Sequence, residues 1–201
     1  MKLESNWWSR LLALDHQCLE EPVLMNITLR EIDRANLHHI NQCDTSFVVD
    51  SKMILSAEHG KINYTVESVS AYTKQYAPSL VDYSEYISNP HKIVFFAFVD
   101  DELAGQIRLQ KYWNGYAYMD DFAVEPKYRR RGVGRALTAR AMEWARERKL
   151  PGIMLETQNN NVAACKLYES CGFELRGFDT HLYKALNPST DEIALYWYLL
   201  F

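Results

Sequence analysis

Cysteine is scarce in this sequence, whose 201 residues contain only Cys18, Cys43, Cys165 and Cys171. These four form no CxxC pair and show no metal-binding spacing with histidine. So few thiols do not make a disulfide scaffold. We therefore expect reduced cysteines, a cytoplasmic protein and no bound metal.

Long hydrophobic runs and an excess of basic residues are also missing. No apolar run approaches transmembrane length, and Arg10 and Asp15 interrupt the apolar N-terminal stretch, so we expect neither a membrane span nor a signal peptide. The 22 Lys and Arg are outnumbered by 26 Asp and Glu, which gives a formal net charge of −4. Nucleic-acid-binding domains are more often basic, so we expect no nucleic-acid partner. An acidic balance is compatible with a cationic substrate.

Glycine is rare as well, yet two of the eight glycines fall in one short segment. The stretch "RRRGVGRAL" (129–137) places Gly132 and Gly134 at the start of a predicted helix. Helix N-termini attract anions, glycine lets the backbone approach phosphate oxygens, and arginines add charge-assisted hydrogen bonds. The segment lacks the Lys-Ser/Thr of a P-loop and the third glycine of a dinucleotide fingerprint. It therefore predicts a different kind of pyrophosphate site.

Hydrophobic spacing predicts one mixed α/β domain. Residues 1–25 are predicted to be a helical extension, because four apolar residues recur at helical spacing: Trp7, Leu11, Leu14 and Cys18. Residues 26–201 form the main domain. Within it, 92–124 is predicted to be an antiparallel meander with a hairpin turn at Asn114-Gly115, and helices alternate with strands afterwards.

Two motifs in this order resemble the GNAT acyltransferases, which bind acetyl-CoA. The family's Arg/Gln-x-x-Gly-x-Gly/Ala loop is matched by Arg129, Gly132 and Gly134. Its second signature is an asparagine before a helix with Leu-Tyr and Gly-Phe, matched by Asn161, Leu167, Tyr168, Gly172 and Phe173. The stretches "KYWNGYAYMDDFAVEP", "MLETQNNNVAACKLYESCGFELRGFDTHLY" and "ALYWYLLF" look like those of the streptothricin acetyltransferases, a branch that gives resistance to that antibiotic.

The resemblance implies a mixed α/β (α+β) GNAT fold. Its central sheet is mostly antiparallel, splays apart between the family's fourth and fifth strands, and is flanked by about four helices. Acetyl-CoA is the implied acetyl donor, and no metal is needed. The implied cofactor-binding positions are Phe122, Ala123, Val124, Arg129, Arg130, Arg131, Gly132, Val133, Gly134, Arg135, Asn161 and Tyr168. Many members have glycine in place of Arg130, so we expect this side chain to point to solvent or to the 3′-phosphate.

The resemblance also implies acetyl transfer to an amine, which needs a base and an acid. Tyr168 matches the tyrosine that protonates the leaving CoA thiolate. Glu156 interrupts the apolar strand "IMLET", and Asp120 and Asp121 lie beside the expected thioester. The base assignment stays divided between Glu156 and the aspartate pair. Successive strand residues face opposite sides, so only one aspartate is expected to face the cleft unless the strand bulges.

The implied acceptor is an amine-bearing cationic small molecule, with the β-lysine arm of streptothricin as the first candidate. Tyr112 and Trp113 are predicted to bind this substrate with the three carboxylates, although such strand aromatics more often pack in a half-buried surface. Two alternatives remain: a protein or peptide N-terminal acetyltransferase, and a non-catalytic acetyl-CoA-binding module. The N-terminal helix and the aromatic C-terminal strand are both compatible with a homodimer.

Overall fold

The computed structural model describes residues 25–76 and 81–201. The predicted helical extension, including its apolar face from Trp7 to Cys18, lies outside the described residues. The strands within them are β1 (Ile27–Glu31), β2 (Phe47–Glu58), β3 (Lys61–Lys74), β4 (Lys92–Val99), β5 (Glu102–Lys111), β6 (Ala117–Val124), β7 (Gly152–Gln158), β8 (Glu174–Asp179) and β9 (Ala194–Leu200). The α-helices there are α1 (Glu85–Ser88), α2 (Val133–Glu147) and α3 (Val162–Ser170), against an expected number of about four.

Seven strands form one sheet in the order β1-β4-β5-β6-β7-β9-β8. All of its neighbouring strands run antiparallel except β6 and β7, which are parallel. The expected mixed α/β fold with a mostly antiparallel sheet is therefore confirmed. The predicted meander is β4-β5-β6, and its second turn spans Tyr112 to Tyr116, with Gly115 at φ 89°.

The sheet is covered on both faces at its centre. Nearly every residue of β4 is buried, including Phe95, Phe96 and Phe98. The helix α2 covers one face with Leu137 and Trp144, which lie about two helical turns apart on its buried side. A strand buried on both faces reads as a continuous apolar run, which is why "IVFFAFV" does not alternate.

The strands β2 and β3 form a separate two-stranded hairpin. Asn159 joins this hairpin to the sheet just after β7. Its backbone carbonyl accepts from the Met53 N–H at 2.8 Å, and its side-chain amide donates to the Met53 carbonyl at 3.1 Å. The hairpin is therefore anchored beside the end of β7. Within residues 25–76 and 81–201, no helix is long and apolar enough to cross a membrane.

Candidate active site

A row of polar side chains lies on the face of the sheet opposite α2. On β5, Gly105 faces α2, because a Cβ there would lie 3.1 Å from Cδ1 of Leu137. Strand alternation turns the even-numbered residues Gln106, Arg108 and Gln110 to the other face. Gln106 and Arg108 are nonetheless buried, at 3% and 4% exposure. Buried polar groups need partners, and β6 supplies them.

A β-bulge turns both aspartates of β6 toward this row. Arg108 pairs with Asp121 across the strands, but the next residue of β5 pairs with Met119, so Asp120 is an extra residue in β6. Arg108 donates its Nε–H to Asp120 at 2.6 Å, and Gln110 donates to the same carboxylate at 3.0 Å. Gln106 donates to Asp121. The alternation that would have hidden one aspartate is thus cancelled by the bulge.

Among the described residues, Arg108 is the one cation that forms an ion pair with the aspartates, and its partner is Asp120. The Arg108 and Asp120 side chains are 5% and 14% exposed, and Arg108 also donates to the Tyr83 hydroxyl at 2.9 Å. Burial raises the pKa of Asp120, and the Arg108 charge opposes that rise. Burial also raises the pKa of Asp121, opposed by its bond from Gln106. A second cation would therefore be stabilised here.

The sheet splays open between β6 and β7. The two strands pair only from Ala117 to Met119 on β6 and from Ile153 to Leu155 on β7. Within the part of the chain that the structure describes, the β7-facing edge of β6 has no strand partner from Asp120 to Val124. Backbone groups on an unpaired strand edge remain available for a ligand. The gap begins beside the aspartates. It leads toward the segment 129–134 after β6, which we call the glycine loop.

Glu156 lies on β7, across this gap from β6. It stands opposite Tyr196 of β9, and its carboxylate accepts a hydrogen bond from the Tyr183 hydroxyl. Tyr183 in turn accepts from the Gln158 side-chain amide at 2.8 Å. Burial raises the pKa of Glu156, the bond from Tyr183 lowers it, and the nearby charge of Glu192 raises it. A carboxylate with a raised pKa is better suited to accept a proton near neutrality.

Several tyrosines lie near Glu156. Burial raises the pKa of Tyr118 and Tyr196, and the charge of Glu156 adds to that rise. Burial and Glu192 raise the pKa of Tyr76, with a smaller contribution from Glu156. Tyr112 joins this group, since its ring stacks on Tyr118 with a centroid distance of 4.7 Å. Trp113 lies at the hairpin turn and is 85% exposed. The structure thus places Tyr112 next to the cleft and leaves Trp113 at its solvent-exposed margin.

Tyr168 lies on α3, beside the splay. Its ring packs edge-on against the ring of Phe122, with the ring centroids 6.1 Å apart. The centroid of the Phe173 ring lies 5.9 Å away. Burial, with further contributions from charges that include Asp121 and Glu156, raises the pKa of its hydroxyl. The hydroxyl therefore stays protonated near neutrality. Of the predicted site residues, Asp121 and Glu156 are thus both close enough to Tyr168 to act on it electrostatically.

The glycine loop leads directly into α2, as predicted. Gly132 precedes the helix with φ 91°, and Arg130 has φ 63°, so both occupy the left-handed region that favours glycine. Arg130, Arg131 and Arg135 are exposed, while Val133 is buried at the first turn of α2. The helix N-terminus and the exposed arginines together form a positive surface.

Two motif residues have structural contacts that the spacing alone did not reveal. Arg129 donates to the Val124 carbonyl at 2.9 Å and to the Asp44 carbonyl at 3.1 Å, so its side chain holds the loop in place. A Cβ at Gly134 would lie 3.0 Å from Cδ2 of Leu167 and 3.3 Å from Cζ of Phe122. Gly134 thus allows α2 to approach α3 and β6 closely, in addition to any role near phosphate.

Arg135 and Asn161 act at helix ends. The Arg135 guanidinium donates to the Ser170 carbonyl at the end of α3, at 3.1 Å. Asn161 precedes α3, and its side-chain oxygen accepts the Ala164 N–H at 3.3 Å. This cap satisfies one of the donors that a helix N-terminus leaves without partners. Asn161 therefore has a structural role whatever it contacts in a complex.

Sequence reasoning missed Gln106, Arg108, Gln158 and Tyr183. The first two carried a signal, because "GQIRLQ" alternates polar and apolar residues in a strand predicted to be central. Tyr183 carried none, because it comes from a short 3-10 turn (Leu182–Ala185) between β8 and β9. Its approach to Glu156 depends on tertiary packing.

Comparison with known proteins gives a consistent family assignment. Residues 63–173 match the acetyltransferase (GNAT) family. Streptothricin acetyltransferase A of Bacillus subtilis (strain 168) is 38% identical over 174 residues, which cover 86% of this chain and 99% of that protein.

Two crystal structures are similar over most of the chain. One, from Bacillus anthracis, is described as a streptothricin acetyltransferase in complex with acetyl coenzyme A. It has a TM-score of 0.81 and 47% sequence identity, and the alignment covers 89% of this chain and 99% of that chain. The other is Nourseothricin acetyltransferase, with a TM-score of 0.72, 31% identity, and coverage of 87% and 98%. With a family match over more than half of its length and relatives aligned almost end to end, this chain belongs to the acetyltransferase (GNAT) family.

Proposed function

We propose that this protein transfers the acetyl group of acetyl-CoA to an amino group on the β-lysine arm of streptothricin, and so confers resistance to that antibiotic. The observation that carries the proposal is the alignment with a streptothricin acetyltransferase over 99% of that relative's length. A similar protein with 47% identity was solved with acetyl coenzyme A, which supports the same donor here.

The charge of the cleft supports a cationic acceptor. Asp120 is neutralised by Arg108, which leaves Asp121 and Glu156 as carboxylates without a cationic partner among the described residues. The β-lysine arm carries ammonium groups, which such carboxylates attract. In this proposal, the aspartate pair holds the arm, and Tyr112 and Tyr118 line its path. Trp113 adds a contact at the margin.

Glu156 serves as the general base in this proposal. A lysine-like amine has a pKa of about 10.4, so it must lose a proton before it attacks the thioester. Asp120 is less suited to take that proton, because Arg108 and Gln110 already engage its carboxylate. Among the described residues, the Glu156 side chain accepts a hydrogen bond from one neutral group, the Tyr183 hydroxyl. Its raised pKa favours proton uptake.

The remaining steps take place in the gap between β6 and β7 and involve the Tyr168 hydroxyl. The amine nitrogen attacks the thioester carbonyl, and backbone N–H groups between Phe122 and Val124 stabilise the oxyanion. The C–S bond then breaks, and Tyr168 donates its proton to the CoA thiolate. That role requires a tyrosine that is protonated beforehand, which agrees with the direction of its pKa shift.

The glycine loop holds the CoA pyrophosphate in this proposal. The N–H groups at the start of α2 and the side chains of Arg130, Arg131 and Arg135 provide the donors. Arg129 contributes by fixing the loop, through its bonds to Val124 and Asp44.

The proposal also covers the location and assembly of the protein. The three described cysteines, Cys43, Cys165 and Cys171, are free thiols, which supports a reducing cytoplasmic location. A homodimer stays a prediction.

The test is CoA release with acetyl-CoA and a panel of acceptors: streptothricin, a polyamine, an aminoglycoside and an N-terminal peptide. We expect turnover with streptothricin that exceeds the other signals by at least about tenfold, since a site with matched polar contacts discriminates strongly. Turnover with the peptide instead would favour N-terminal acetylation. Acetyl-CoA binding without turnover on any acceptor would favour a non-catalytic module.

A further inference from the structure

A directional chain of hydrogen bonds ends at Glu156. The Gln158 amide donates to the Tyr183 oxygen at 2.8 Å, and the Tyr183 hydroxyl donates to Glu156. A hydroxyl has one proton. Because Gln158 fills an acceptor position of Tyr183, that one proton is directed to the carboxylate. Consecutive hydrogen bonds of this kind strengthen each other.

The fold fixes both ends of this chain. Glu156 and Gln158 are two residues apart on β7, so they project from the same face. Tyr183 arrives from the 3-10 turn between β8 and β9. Asp179 anchors that turn, because its carboxylate accepts the N–H of His181 at 2.7 Å and of Leu182 at 3.1 Å. The phenol is thus delivered to β7 from a separate, anchored segment.

We propose that Tyr183 is the positioning residue for the general base. Its hydrogen bond holds one Glu156 oxygen and leaves the other to accept the proton of the attacking ammonium group. This inference rests on the proposed function, in which Glu156 is the base. Tyr183 takes no proton itself.

The electrostatic surroundings make this bond matter for the charge of Glu156. The titratable groups that act on Glu156 or feel its charge are Tyr76 after β3, Tyr118 on β6, Tyr168 on α3, Tyr183, Glu192 before β9 and Tyr196 on β9. Glu192 is negative, and it pairs with Lys74. Burial and Glu192 both raise the pKa of Glu156, whereas Tyr183 lowers it. Without Tyr183, Glu156 would stay protonated to a higher pH.

The test is Tyr183→Phe, with Tyr196→Phe as the matched control. Tyr196 stands opposite Glu156 on β9 but is not among its hydrogen-bond partners in the described residues. We expect Tyr183→Phe to move the acid limb of the pH profile of kcat/KM to higher pH. At pH values on that limb, kcat/KM should fall on the order of tenfold, while the KM for acetyl-CoA stays unchanged. The control should leave the limb in place.

A second readout does not depend on the acceptor. The Glu156 side-chain carboxyl is titrated by carbon NMR in glutamate-labelled protein, with its signal assigned from Glu156→Gln. Tyr183→Phe should shift that titration to higher pH. An unshifted titration in a folded variant would overturn the role of Tyr183 while leaving Glu156 as the base. If Glu156→Gln keeps full turnover with streptothricin, the base assignment and the positioning role both fail.

Discussion

Arg108 is the buried cation that pairs with Asp120, and its replacement tests how the site is built. Arg108→Met keeps most of the side-chain volume but removes the donors to Asp120 and Tyr83. Two buried carboxylates then face each other without a cation. Removing one partner of a buried ion pair costs about 3–5 kcal/mol of the free energy of unfolding. Arg176→Met is the matched control, because its ion pair with Glu174 is exposed and should contribute less than about 1 kcal/mol.

The pH dependence of this loss has a definite sign. Burial already raises the pKa of Asp120 and Asp121 in the folded protein, and the loss of Arg108 raises it further. A carboxyl whose pKa is higher in the folded state destabilises the fold as the pH rises through that pKa. The penalty of Arg108→Met should therefore be larger at about pH 7.5 than at about pH 5. Asp120→Asn in the Arg108→Met background should recover part of it at the higher pH.

Denaturant unfolding of these variants at both pH values provides the measurement. The two arginine variants should differ by at least about 2 kcal/mol near neutral pH. Equal losses, or a penalty that grows as the pH falls, would mean that Arg108 does not offset the buried charge of Asp120.

Three further predictions concern the cofactor side of the site. Gly134→Val should lower the free energy of unfolding by about 1–3 kcal/mol, because the added side-chain atoms meet Leu167. Gly134→Ala should change the thermal unfolding temperature little, because its gain in helix propensity offsets the closer contact. Arg130→Gly should leave the melting temperature unchanged or raise it, because glycine relieves the positive φ at this position. Arg131 has no positive φ, so Arg131→Gly should lower the melting temperature. Tyr168→Phe should reduce kcat about 100-fold or more with acetyl-CoA affinity unchanged by calorimetry, and an undiminished kcat would return Tyr168 to packing.

Much of the fold could be predicted because its signals are local. The apolar run of β4, the helical spacing of α2 and the capping asparagine before α3 each depend on neighbours along the chain. The two motifs fixed the order of the second half of the chain and led to the GNAT family, which the comparisons confirm. The separation of the β2-β3 hairpin from the sheet was not predicted.

The site was less predictable because its geometry comes from tertiary structure. Strand alternation assigns Asp120 and Asp121 to opposite faces, and only the cross-strand register with β5 reveals the bulge that brings them together. Tyr183 reaches Glu156 across a turn between two other strands. Gly134 matches a phosphate-loop motif, yet its close neighbours are Leu167 and Phe122. Such contacts have no counterpart in sequence spacing.

The most direct test of the account is tandem mass spectrometry of streptothricin incubated with isotope-labelled acetyl-CoA and the protein. We predict one labelled acetyl group on an amine of the β-lysine arm, formed by the wild-type protein and reduced at least about 100-fold by Glu156→Gln. Label elsewhere on the antibiotic, no label at all, or full labelling by Glu156→Gln would contradict it.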